Sequence, residues 1–262
     1  MGQKKKKMGT VKKLKIQSSK FKIRKSKFET QTPKRKTQIY ILHGWTYTTE
    51  KWNPFLDELK KKNIDFEFLK IPGLTAPIEK VWYMSDYTAW LKDKIISEPV
   101  ALLGHSNGGR IALAFTNAYP EKVSQLFLLD SAGLIHNDIF SKSKRAVFKS
   151  AAKIGKAFLN SEKAKKILYR LAREEDYKNA PPIMKKTMEN LISLNIQPIL
   201  KDIKTPTVII WGKNDKVTPF SDSAIFKREL PHSKLFLIES ARHSPMFTHV
   251  KEVVKIVSEN LL

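Results

Sequence analysis

From residue 38 onward the chain alternates short apolar runs with amphipathic stretches. The runs at 38–42, 64–71, 99–103, 123–129, 207–211 and 235–238 are each four to eight residues long. That is the length of a strand buried on both faces and too short for a helix. Between them apolar residues recur at helical spacing: Trp52, Phe55, Leu56 and Leu59, then 87–96, 109–119, and finally Val250, Val253, Val254 and Val257. Buried runs alternating with amphipathic helices predict an α/β protein with a mainly parallel sheet covered by helices on both faces.

Two stretches break this rhythm. Residues 134–200 contain no convincing strand and show helical spacing at Ala146/Phe148/Ala151/Ala152, Ile167/Leu168/Leu171 and Met184/Met188/Leu191/Ile192. They read as a helical cap inserted into a core made of 37–133 and 201–262. Residues 1–36 form a basic arm, in which Leu14/Ile16 and Phe21/Ile23 alternate with Lys and Arg, the signature of edge strands with a solvated face.

Charge changes the picture of the partners but not of the body. The 262 residues carry 49 Lys+Arg against 25 Asp+Glu, a formal net charge of +24. Residues 1–40 hold +14 of it and residues 141–173 another +10, so the remainder balances to zero. A surplus of this size points to a polyanion as partner, nucleic acid or anionic membrane, with Lys4, Lys5, Lys6 and Lys7 as the contact. Its segregation means that the body need not share that role. There is no cysteine, which excludes disulfides, a thiol nucleophile and thiolate-held metals. The basic N-terminus has no apolar run behind it, as a secretory signal would, and the expected location is cytoplasmic.

The densest chemical signal is Gly104-His105-Ser106-Asn107-Gly108-Gly109, directly after one apolar run and directly before a helical pattern. This is G-x-S-x-G in a strand–turn–helix setting. A serine on so tight a turn takes a strained backbone, and its neighbours two residues away must be small because strand and helix crowd there. The turn lifts the Ser106 hydroxyl above the sheet. It also sets the Asn107 backbone N–H at a helix N-terminus, where developing negative charge is stabilised.

Three further stations follow this pattern, and with them the chain resembles the α/β-hydrolase family, in the branch with a helical cap. His43-Gly44-Trp45 resembles the oxyanion loop, with the Trp45 N–H as second donor beside Asn107. Asp215, in Trp211-Gly212-Lys213-Asn214-Asp215-Lys216-Val217-Thr218-Pro219, resembles the acid. His243, in Ala241-Arg242-His243-Ser244-Pro245, resembles the base. The order Ser, Asp, His is the one this fold imposes. The resemblance implies an eight-stranded, mainly parallel sheet with a catalytic triad of Ser106, Asp215 and His243. It covers the chain from about residue 38 and leaves the arm out. One departure stands out: the family's Pro-Gly-x-Gly loop here reads Pro72-Gly73-Leu74-Thr75.

The roles define a reaction. His243 takes the Ser106 proton, Asp215 stabilises the resulting cation, and the acyl oxygen turns to the two backbone amides. No metal or organic cofactor is required. The expected function is a serine hydrolase of small to medium carboxylic esters. Alternatives on the same triad are a carbon–carbon hydrolase of meta-cleavage type, a lactonase or a thioesterase. The rival of another class is a non-catalytic polybasic binder of nucleic acid or anionic membrane. Trp45, Trp82, Phe140, Phe148, Phe158, Met184 and Met188 are the candidates to line an acyl pocket. Asp130 is read as tying down its loop, His105 as packing or hydrogen-bonding, His43 as a brace of the oxyanion loop, and Arg110 as half of a structural ion pair.

Overall fold

A computed structural model of the chain describes residues 38–46, 48–96, 99–135 and 180–262. Among the described residues six parallel strands form one sheet: β1 (Ile39–Leu42), β2 (Phe66–Phe68), β3 (Val100–His105), β4 (Val123–Leu129), β5 (Thr207–Gly212) and β6 (Ser233–Ile238). Their order in space is β2-β1-β3-β4-β5-β6. These are the six runs picked out by hydrophobicity. The two edge strands expected in the arm lie outside the described residues, as do Phe140, Phe148, Phe158 and residues Lys4 to Lys7.

Side-chain alternation along the strands divides the core in two. Tyr40, Leu42, Leu102, Leu126, Leu128 and Trp211 face a cluster closed by α2 (Met84–Lys94), α3 (Asn107–Ala118), α4 (Pro182–Ile192) and α6 (Phe220–Glu229). Ile39, Ile41, Leu103, Phe127, Leu129 and Ile210 face the other way. There Trp52, Phe55 and Leu59, at the start of and within α1 (Asn53–Lys61), meet Val253, Val254 and Val257 of α8 (Val250–Asn260). Nearly every residue of β1, β3, β4 and β5 is buried, as expected of strands covered on both faces. Two single-turn helices complete the described set, α5 (Gln197–Leu200) and α7 (Pro245–Thr248). No helix of the described residues is long and apolar enough to cross a membrane.

The topology fixes where a ligand belongs. From β1 the chain steps to β2 on one side and then returns to β3 on the other. In open parallel sheets, ligands bind beyond the strand ends at such a reversal. The register Leu42↔Gly104 aligns the ends of β1 and β3, so His43-Gly44 and His105-Ser106 leave the sheet side by side. After β4 the Gly133 carbonyl accepts from the Ile196 N–H at 2.9 Å, and the helices expected within residues 136–179 lie outside the described residues.

Candidate active site

Ser106 sits between β3 and α3 with φ 52° and ψ −118°, a conformation costing on the order of 1–3 kcal/mol for a residue with a side chain. The crowding that demands small neighbours is physical: a Cβ on Gly104 would strike the Gly108–Gly109 backbone, and one on Gly108 would strike the Leu42 carbonyl. The elbow is held down by the Ser106 N–H donating to the Leu129 carbonyl at 3.1 Å, and by its own carbonyl accepting from the Ala132 N–H at 2.9 Å.

The structure brings Ser106, His243 and Asp215 into one line. The His243 Nε2 lies 3.0 Å from Ser106 Oγ, and its Nδ1 lies 2.8 Å from Asp215 Oδ2. A carboxylate only accepts, so Nδ1 carries the proton and Nε2 turns a lone pair toward the hydroxyl. The Asp215 side chain is fully buried. Its Oδ1 accepts from the Val217 and Thr218 N–H groups at 2.7 and 3.2 Å, which leaves Oδ2 for His243. Oδ2 also accepts from Thr218 Oγ1 at 2.6 Å, and that hydroxyl lies 3.2 Å from His243 Nδ1. Thr218 had no assigned role in the sequence, though it lies inside the motif quoted for Asp215. Only the folded loop shows that its side chain turns back on the acid.

The histidine's own backbone is tethered too. The His105 Nε2 donates to the His243 carbonyl at 2.9 Å, which agrees with a hydrogen-bonding role for His105. The loop His43-Gly44-Trp45 also passes close to Ser106: a Cβ on Gly44 would lie 3.0 Å from Ser106 Cβ. His43 is fully buried and stacks on Phe68 at 5.6 Å. Burial pushes its imidazole down to about 4, partly offset by a hydrogen bond to the Gly44 carbonyl.

A family model described as serine aminopeptidase, S33 (Hydrolase_4) matches residues 33–248. The chain belongs to this α/β-hydrolase family. Among curated relatives, the pimeloyl-(acyl-carrier protein) methyl ester esterase of Legionella pneumophila (strain Corby) is 24% identical over 233 residues, 84% of this chain and 93% of that protein. Lipase 1 of Psychrobacter immobilis is 25% identical over 179 residues, 62% of this chain and 55% of that one. Among solved structures, MGS-MChE2, an α/β-hydrolase enzyme from a sediment metagenome of the Mar Chica lagoon, Morocco, superposes with a TM-score of 0.64 at 27% identity, covering 85% and 89% of the two chains. A hydrolase from Oleispira antarctica shares the fold with a TM-score of 0.68 at 15% identity, over 86% and 91%.

Within this α/β-hydrolase two charged neighbours differ from their expected roles. Asp130 directly follows β4 with φ 42° and is wholly buried. Its Oδ1 accepts from the Gly212 N–H at 2.8 Å, so it ties the end of β4 to β5 and not its own loop, and Oδ2 has no hydrogen-bond partner among the described residues. Burial and then the nearby Asp215 carboxylate push its carboxyl well above the usual range, which favours its protonated form. Arg110 is also buried, and it makes no ion pair among the described residues. Its Nη1 donates to the Leu191 carbonyl in the last turn of α4, where the helix end presents unsatisfied acceptors. Burial lowers its guanidinium to about 10, which leaves it charged at neutral pH.

The apolar candidates within the described residues lie on this same side of the sheet. Trp45 and Trp82 are half-buried against the first core cluster. Met184 and Met188, on α4, are buried, and Met184 rests against Gly73. The backbone of Trp82 is bound to α4 twice, its N–H donating to Thr187 Oγ1 at 2.9 Å and its carbonyl accepting from Asn190 Nδ2 at 3.3 Å.

Proposed function

We propose that this α/β-hydrolase cleaves carboxylic esters of small to medium acyl chains through an acyl-enzyme on Ser106. The observation that carries the reading is the line Ser106–His243–Asp215 on a strained elbow at the sheet's switch point. The names of relatives, a methyl ester esterase and a lipase, support an ester as substrate.

Ser106 Oγ attacks the acyl carbon while its proton passes to His243 Nε2. The imidazolium is stabilised by Asp215 through Nδ1–H. The acyl oxygen, now negative, turns to the backbone N–H groups of Trp45 and Asn107, each such donor being worth roughly 3–4 kcal/mol. His243 returns the proton to the departing alkoxide, and the alcohol leaves. Water then attacks the acyl-enzyme, again giving a proton to Nε2. Collapse releases the acid and restores the Ser106 hydroxyl.

In this reading residues 180–200 belong to a cap beside the switch point, and Trp45, Met184 and Met188 supply apolar wall to the acyl chain. The Ile196 N–H donating to the Gly133 carbonyl supports it, because that bond seats residues 180–200 against the loop that follows β4. A panel of p-nitrophenyl esters, a thioester, a lactone and a vinylogous diketone tests the substrate class. The expected result is fastest turnover on a short or medium ester. Preference for the diketone by an order of magnitude would move the assignment to carbon–carbon cleavage.

A further inference from the structure

We infer that Thr75 is a positioning residue for the oxyanion donor Trp45, acting through His43; the inference rests on the ester-hydrolase reading above. The chain of contacts is explicit. His43 Nδ1 lies 2.7 Å from the Gly44 carbonyl, which can only accept, so Nδ1 carries the proton. Nε2 is then a bare lone pair, and it lies 2.9 Å from Thr75 Oγ1. The Thr75 hydroxyl therefore donates to His43. The same oxygen accepts from the Ile71 N–H at 2.9 Å. Its proton and a lone pair are both engaged, so the hydroxyl has one orientation and imposes one tautomer on His43.

The consequence reaches the catalytic loop through peptide planarity. Gly44 C=O and Trp45 N–H belong to one peptide unit, and in a trans peptide they point in opposite directions. Holding the carbonyl on His43 fixes the direction of the amide. Gly44, where that peptide begins, lies beside Ser106: a Cβ on it would be 3.0 Å from Ser106 Cβ. If His43 took the other tautomer, Nδ1 would face the Gly44 carbonyl lone pair to lone pair, and the peptide would rotate away. Thr75 stands where the related loop has glycine, which has no side chain to make this link. What read in the sequence as a missing glycine is a bond to the oxyanion loop.

The test compares the wild type with Thr75→Val, which keeps the shape and removes the hydroxyl, and Thr75→Ser, which keeps the hydroxyl. Loss of an oxyanion donor outright costs about 10²–10³ in kcat, so loosening one is expected to cost about tenfold. The expected result with a p-nitrophenyl ester is a tenfold drop in kcat for Thr75→Val, KM within about twofold, and recovery in Thr75→Ser. A purely structural role would lower stability without this split. Unchanged kcat in Thr75→Val, or a loss that serine fails to restore, overturns the inference. Nitrogen-15 NMR of His43 in the wild type gives a second reading that needs no substrate: an Nδ1–H tautomer is expected, and Nε2–H overturns the proposal. A wild type without ester turnover but with the Nδ1–H tautomer would instead refute the ester-hydrolase reading and remove the donor that Thr75 is said to position.

Discussion

Two aspartates lie behind His243, and their surroundings differ. Asp215 has both oxygens satisfied by donors, and one of them faces His243. Asp130 has one oxygen satisfied and is pushed upward by burial and by Asp215. Asp215→Asn is expected to lower kcat by about 10⁴, because an amide in that place no longer dictates the Nδ1–H tautomer. Asp130→Asn is expected to leave kcat within about threefold of wild type, because the amide keeps the shape of the protonated carboxyl that burial favours. Its stability effect has a definite sign. In the folded protein Asp130 keeps a proton that the unfolded chain releases above about 3.9, so its contribution falls as pH rises beyond that value. Asn cannot ionise in either state. Urea titrations should show Asp130→Asn gaining on wild type at pH 7–8, with the gain shrinking toward pH 4. The positive φ at residue 130 is one that Asn tolerates well.

At the scale of elements, most of what the hydrophobic pattern predicts is present, and the differences have local causes. The run at 64–71 yields only a three-residue β2 (Phe66–Phe68). Leu69 and Ile71 are buried beyond its end, and a buried loop residue looks like a strand residue when only hydrophobicity is read. The single-turn helices α5 and α7 are too short to show a period, and each is started by a proline in its first turn. The elbow was legible because its glycines answer a steric demand. Gly108→Ala is therefore expected to destabilise by more than about 4 kcal/mol or to prevent folding, since its Cβ meets the Leu42 carbonyl in the backbone of β1. Thermal unfolding of Gly108→Ala beside Thr116→Ala, a buried change that leaves the elbow alone, checks this. Thr218 and Thr75 were not legible, because each acts through a single hydroxyl whose partners are distant in the chain or set by loop geometry.

Across the whole molecule, charge and chemistry separate. The +24 surplus resides in residues 1–40 and 141–173, while the hydrogen-bonded line belongs to a body that is neutral in sum. Turnover of a neutral ester is accordingly expected to change by less than about twofold between 50 and 500 mM NaCl, a range over which exposed charges become strongly screened. Acid acts through a different group. His43 is neutral in the fold down to about pH 4, whereas the unfolded chain protonates it near 6.5. Its contribution is full above about 6.5 and is lost as pH falls toward 4, reaching about 3 kcal/mol. Urea unfolding of wild type and His43→Gln at pH 7.5 and 4 should show a smaller acid loss in the variant.

The central claim is covalent catalysis by Ser106, and Ser106→Ala assayed on a p-nitrophenyl ester tests it most directly. The account predicts that hydrolysis falls to background in a folded variant, and that a fluorophosphonate labels the wild type at Ser106 and leaves the variant unlabelled. Ester hydrolysis retained in Ser106→Ala at a wild-type rate would contradict it.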